Sequence, residues 1–269
     1  MFTHILVAHD LSLDADRALR RALRLAEQHR ARLTLLHVMP DARALGALRE
    51  DLEAELRQRL DACEALEAEP RIRIAAGRPA ETIVAHLAEE GGDLLVVGPH
   101  HRDAARFAGC NLERLARTCP VPLLLAARDE PTPHARALVA LDASLCARLA
   151  LETAYLLLPA EAELRALHVF EEADGEAPDQ ADAYWRARGA LMERRVADER
   201  ATLPPRGPRL SLELQRGRVA ETLELTLRER DTDLLALGHH ARGLHALAPL
   251  GHLPTHLLQA PPCDVLLVR

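Results

Sequence analysis

The chain has 269 residues, 48% hydrophobic and 28% charged, with a formal net charge of −7. Length and composition fit two globular domains of ordinary size, each able to bury a core, and exclude a disordered or fibrous chain. The acidic balance and an aromatic content of 2% exclude a basic nucleic-acid surface and a base-stacking platform.

In chain order, the first strand is read at Ile5-Leu6-Val7-Ala8, a short apolar run of the kind buried on both faces of a parallel sheet. Ser12 or Asp10 then caps a helix whose Leu19, Ala22, Leu23 and Ala26 form one buried stripe. A second strand runs from Leu33 to Val38. Pro40 breaks it, and Leu45, Leu48, Leu52, Leu56 and Leu60 stripe a longer, highly charged helix. Next come a strand at Arg71 to Ala75, a helix opened by Pro79, a strand at Leu94 to Val97, a helix at Leu112 to Ala116 and a strand at Val121 to Ala126. The same order then repeats: strand 137–141, helix from Ser144, strand 163–169, helix 178–202, strand 209–215, helix from Val219, strand 234–237, helix from about His252 and strand 264–268.

The repetition extends to the residues. Asp93-Leu94-Leu95-Val96-Val97-Gly98 answers Asp233-Leu234-Leu235-Ala236-Leu237-Gly238, and the segment ending Ala8-His9-Asp10-Leu11-Ser12 answers Ala140-Leu141-Asp142-Ala143-Ser144. Leu36-His37-Val38 matches Leu167-His168-Val169, and Gly77-Arg78-Pro79-Ala80-Glu81-Thr82 matches Gly217-Arg218-Val219-Ala220-Glu221-Thr222. The chain is a duplication, with copies at 1–129 and 134–269 and a proline-bearing link near Pro131 and Pro133.

Alternation of strand and helix predicts an α/β fold: two tandem open, five-stranded parallel sheets with helices on both faces, Rossmann-like and related by an approximate twofold. The final apolar strand of each copy is a sheet edge that needs cover, so the two edges are expected to meet. Ligands in such sheets lie beyond the strand ends where the strand order reverses. That directs attention to Asp10 and Gly98, and to their counterparts Asp142 and Gly238.

These spaced motifs, each present twice, resemble the universal stress protein family in its tandem form. The resemblance implies a stress-response protein with ATP or AMP as a ligand that is not essential, and an internal pseudo-dimer of the two copies. Further homodimerisation is left open. Family members that bind ATP resemble one another in the pattern G-x2-G-x9-G-[ST] after the fourth strand. In the second copy Gly238 and Gly251 keep the spacing, while Ala241 replaces the middle glycine and His252 the Ser or Thr. The implied binding set is Ala140, Leu141, Asp142, Val169, Gly238, His239, Ala241, Gly251, His252 and Leu253. The first copy departs further: His101 stands at the middle position, and Gly109-Cys110 comes two residues early. Its corresponding set, the weaker of the two, is Ala8, His9, Asp10, Val38, Gly98, Gly109 and Cys110, so that ATP or AMP is expected in the second copy and the first is read as a degenerate site.

Two other readings compete. His252 and His256 share a helical face at a spacing that can chelate a metal, though without a neighbouring carboxylate. Alternatively, the charged helices around 41–69 and 171–200 serve as protein-binding surfaces of a scaffold without a ligand. No G-x-S-x-G, H-E-x-x-H or G-x-x-x-x-G-K-[ST] motif occurs, and there is no lysine at all. A binding protein is therefore expected rather than an enzyme, with slow ATP hydrolysis left open. No apolar run approaches the roughly 20 residues of a membrane span, and no signal peptide is recognisable. Cys63, Cys110, Cys119, Cys146 and Cys263 form no C-x-x-C pair and suit a reducing compartment. The expected location is the cytoplasm, with no nucleic-acid or membrane partner.

Overall fold

A computed structural model describes residues 1–63, 70–99, 110–129, 132–171, 178–239 and 250–269, and the side chains of all of these but 178–184. The elements follow in the order β1 (His4–Ala8), α1 (Leu13–His29), β2 (Arg32–Met39), α2 (Ala42–Asp61), β3 (Arg71–Ala76), α3 (Pro79–Glu90), β4 (Leu94–Val97), α4 (Asn111–Thr118) and β5 (Leu123–Leu125). They continue as β6 (Arg136–Ala140), α5 (Leu145–Leu157), β7 (Glu163–Phe170), α6 (Pro178–Thr202), β8 (Arg209–Arg216), α7 (Val219–Glu229), β9 (Leu234–Gly238), α8 (His252–Gln259) and β10 (Asp264–Val268). The α/β expectation holds. Among the described residues, no helix is long and apolar enough to cross a membrane.

The helices begin where the sequence supplies a cap. Ser12 accepts the Ala15 N–H at 3.1 Å to open α1, and Ser144 accepts the Ala147 N–H at 3.1 Å to open α5. Arg30, in the left-handed region at φ 54°, ends α1, and its N–H reaches back to the last turn. The central strands are apolar because both faces are covered: Ile5, Leu6 and Val7 of β1 and Leu94, Leu95 and Val96 of β4 have no exposed surface.

The chain divides into two compact units, one of Met1–Pro133 with His240–Leu267 and Arg269, the other of His134–His239 with Val268. In the first, the strand order is β3-β2-β1-β4-β5-β10. The five strands of the first copy are parallel, and β10 runs antiparallel to β5 with Leu266 opposite Leu124. The predicted meeting of the two closing strands is thus observed. It also moves a strand between bodies, because β10 closes the second repeat by sequence yet sits in the compact unit built on the first. In the other unit β9, β6, β7 and β8 lie side by side, all parallel.

Candidate functional site

The site is built where β1 stops short of β2. The last rung between them is the His9 N–H to the Leu36 carbonyl at 2.9 Å, while on the other side the Gly77 N–H reaches the Met39 carbonyl at 2.9 Å. Alternate residues of a strand turn their backbone groups to opposite neighbours. Leu36 and Val38 therefore face the β1 side, and His37 and Met39 face β3. Among the described residues, no strand beyond Ala8 receives the N–H and C=O of Val38. His37 instead closes the gap with its side chain, Nδ1 donating to the His9 carbonyl at 2.7 Å.

The second copy repeats this construction. The Leu141 N–H meets the Leu167 carbonyl at 2.8 Å, the Gly217 N–H meets the Phe170 carbonyl at 3.0 Å, and His168 Nδ1 donates to the Leu141 carbonyl at 2.7 Å. Val169 accordingly presents its backbone as Val38 does. Asp10 and Asp142 also match, each accepting a backbone N–H, from Ser12 at 3.1 Å and from Ser144 at 2.8 Å.

Over the strand ends of the first copy lies a cavity of about 360 Å³, within the size range of small-molecule sites. Ala8, His9, Asp10, Val38 and Gly98 of the predicted set all line it. Ile83 of α3 and Asn111 and Leu115 of α4, not anticipated from sequence, complete its wall. Asp142 and Leu141 border a different cavity of about 310 Å³, with Arg148 of α5 and Arg195 and Glu199 of α6.

His9 is a buried ring with both nitrogens engaged. The Leu11 N–H donates to Nδ1 at 3.0 Å, which leaves the proton on Nε2 to be donated to Asp16 at 3.1 Å. Arg59 of α2 grips the same carboxylate through two bonds of 2.7 and 2.9 Å. Burial holds the His9 ring below the ordinary histidine range, against the opposing pull of Asp16. In the second copy Leu141 replaces this histidine, and the helix-to-helix tie has its charges exchanged: Arg148 stands where Asp16 was and meets Glu199 of α6 at 2.7 Å. The difference between His9 and Leu141 was readable by aligning the copies; the carboxylate beside His9 was not.

The two glycines taken as phosphate-loop positions have a packing reason. A Cβ on Gly98 would overlap the Asp14 carbonyl at the start of α1, and one on Gly238 would overlap Cys146 and Ala147 at the start of α5. Cys110 caps α4 by accepting the Glu113 N–H on its sulfur at 3.4 Å. Gly251 opens α8 at φ 66° and ψ 159°, a conformation reserved for glycine. It is followed by Leu253 and by His252, whose side chain is exposed, as is that of His256. His239 is buried, its N–H on the Val268 carbonyl at 2.6 Å. Gly251, His252 and Leu253 belong to the first compact unit, and Ala140, Leu141, Asp142, Val169, Gly238 and His239 to the other. Ala241, His101 and Gly109 lie outside the described residues. Among the described residues no group of three or more His, Cys, Asp or Glu side chains is placed to hold a metal ion.

This geometry, twice repeated, is that of a parallel α/β module, and comparison with known proteins defines its class. The universal stress protein family model matches residues 1–127 and 134–269. The chain belongs to the universal stress protein family and carries two of its domains. A Thermus aquaticus protein described as the universal stress protein in the QAH/OAS sulfhydrylase 3′ region is 34% identical over 139 residues, 46% of this chain and 98% of that one. Among solved structures, a universal stress protein from Archaeoglobus fulgidus DSM 4304 has a TM-score of 0.71 at 18% identity, covering 98% of this chain and 95% of its own. A protein of unknown function from Pseudomonas aeruginosa PAO1 has a TM-score of 0.68 at 20% identity, covering 99% and 92%. These two likenesses concern the fold alone.

Proposed function

We propose that this tandem universal stress protein is a cytoplasmic binding protein of the stress response rather than an enzyme, and that it holds an adenine nucleoside or nucleotide in the cavity of its first copy. The observation that carries this reading is the unpaired strand edge at Val38, whose backbone donor and acceptor lie side by side at the wall of that cavity. Adenine offers the complementary pair on one edge, a ring nitrogen that accepts and an amino group that donates. Asp10, on the same wall, suits the hydroxyls of a ribose. Five free cysteines support a reducing compartment.

The test is thermal unfolding of the full chain with adenosine, AMP or ATP. A ligand at a hundred times its Kd raises stability by about 2.7 kcal/mol, so a rise in melting temperature is expected. Ala8→Leu, which grows a side chain into the cavity, should abolish the rise while leaving the unliganded protein folded; Ala140→Leu in the other copy should leave it intact. If no adenine compound moves the transition, the proposal fails.

A further inference from the structure

The turn that joins β1 to α1 is held differently in the two copies. In both, an aspartate accepts the N–H two residues on, Asp10 from Ser12 at 3.1 Å and Asp142 from Ser144 at 2.8 Å. The first copy adds a bond of the same span one residue earlier, where His9 Nδ1 accepts the Leu11 N–H at 3.0 Å. Leu141 stands at that place in the second copy and has no side-chain acceptor. Leu11 adopts φ 66°, in the left-handed region that a leucine side chain disfavours. The other non-glycine residues with a positive φ among those described, Arg30 and Asp231, follow the ends of α1 and α7, where that conformation is ordinary. Ala143, the counterpart of Leu11, does not share it.

Resting on the adenine-ligand reading above, we infer that His9 is a positioning residue for the first-copy site: its neutral ring holds the turn 10–12 against the cavity, so that protonation of the ring releases the ligand. Asp10 and Ser12 of this turn line the cavity together with His9. The turn is gripped at two points, because His37 of β2 donates Nδ1–H to the His9 carbonyl at 2.7 Å while the His9 ring takes the Leu11 N–H. The second grip exists in one charge state alone. Nε2 already gives its proton to Asp16 at 3.1 Å, so an added proton goes to Nδ1, where it points at the Leu11 N–H. An acceptor then becomes a donor facing a donor, and the bond that offset the strain at Leu11 is lost. Leu11 relaxes and carries Asp10 and Ser12 off the cavity wall.

Each element packed on the ring contributes to its charge state. Burial is the largest influence and keeps the ring neutral to below the ordinary histidine value of 6.5. Asp16 of α1 pulls the other way, Arg59 of α2 opposes the proton, and Asp10 of the turn itself favours it. The His37 ring of β2 meets the His9 carbonyl.

Calorimetric titration of the full-length protein with adenosine, which carries no phosphate to titrate, from pH 7.5 to about 5 tests the inference. Affinity should be level above about pH 6.5 and then fall, at its steepest by about tenfold per pH unit, the slope of one linked proton. By reciprocity, saturating adenosine should move the titration of the His9 ring, followed by NMR, to lower pH. His9→Asn offers a side-chain oxygen to the same N–H but takes up no proton, and its affinity for adenosine should no longer depend on pH. His9→Leu offers no acceptor and should bind about tenfold more weakly than His9→Asn at pH 7.5. Asp16→Asn removes the pull toward the charged ring and should carry the fall in affinity to lower pH. Affinity that stays level in the unaltered protein, or that falls equally in His9→Asn, overturns the role of His9 and leaves the adenine site standing. If His9→Asn does not fold, a His9 titration unmoved by adenosine is the overturning result. Failure of adenosine to bind at pH 7.5 defeats the adenine reading, and this inference with it.

Discussion

Burial beside Asp16 makes the charge state of His9 a matter of stability. An unfolded histidine takes up a proton as pH falls through its ordinary value of 6.5, whereas the folded ring resists until lower pH. Protons then favour the unfolded chain. Stability from this residue is therefore complete above about pH 6.5 and declines as pH falls toward the depressed folded value. Chemical denaturation from pH 7.5 to 5.5 should show the decline, and His9→Leu, the residue of the second copy, should flatten it. Gly98 makes a second residue-scale prediction. Because a Cβ there meets backbone at the start of α1, Gly98→Ala should cost about 1–3 kcal/mol in the absence of any ligand, and Gly238→Ala should behave alike. The sequence marks both glycines as important but not why. A phosphate approaching the backbone and a helix lying on it ask for the same missing methyl group.

At the scale of elements, the apolar runs at Ile5 to Ala8 and Leu94 to Val97 were legible as buried strands because two covered faces leave no polar alternation to confuse them. The longest helix, Pro178–Thr202, was also read with its observed bounds. What the pattern does not reveal is which charged residues on the helices meet, since nearly every turn of α2 and α6 offers several. Only the fold pairs Asp16 with Arg59 and Arg148 with Glu199. The exchanged polarity of these ties makes a transplant testable. Arg59→Glu alone should destabilise by about 2 kcal/mol, since it faces a carboxylate with a carboxylate. The triple change His9→Leu, Asp16→Arg, Arg59→Glu installs the trio of the second copy and should restore most of the loss, measured by urea denaturation.

At the scale of the whole molecule, the first compact unit is secured by a buried ion pair. Arg21 of α1 meets Asp264 at 2.8 Å, their side chains 3% and 0% exposed. Asp264 also accepts the N–H groups of Ala127 and Arg128 at 2.8 and 2.9 Å, and Arg21 donates to the Thr132 carbonyl at 2.6 Å. Asp264→Asn leaves the arginine buried with a neutral partner and should cost about 3–5 kcal/mol, read from the shift in denaturation midpoint. The duplication was legible from four repeated segments. This pair was not, because an aspartate ahead of an apolar strand resembles any turn residue until the chain brings Arg21 against it.

The placement of β10 beside β5 has a consequence for how such a chain changes over generations. A truncation at Pro133 would strip Leu123, Leu124 and Leu125 of their antiparallel neighbour and bare an oily ribbon of unpaired amides, inviting self-association. A protease nick in the link should release nothing, the severed tail staying clasped to the body it completes. Once fused in this way, neither ancestral half is expendable.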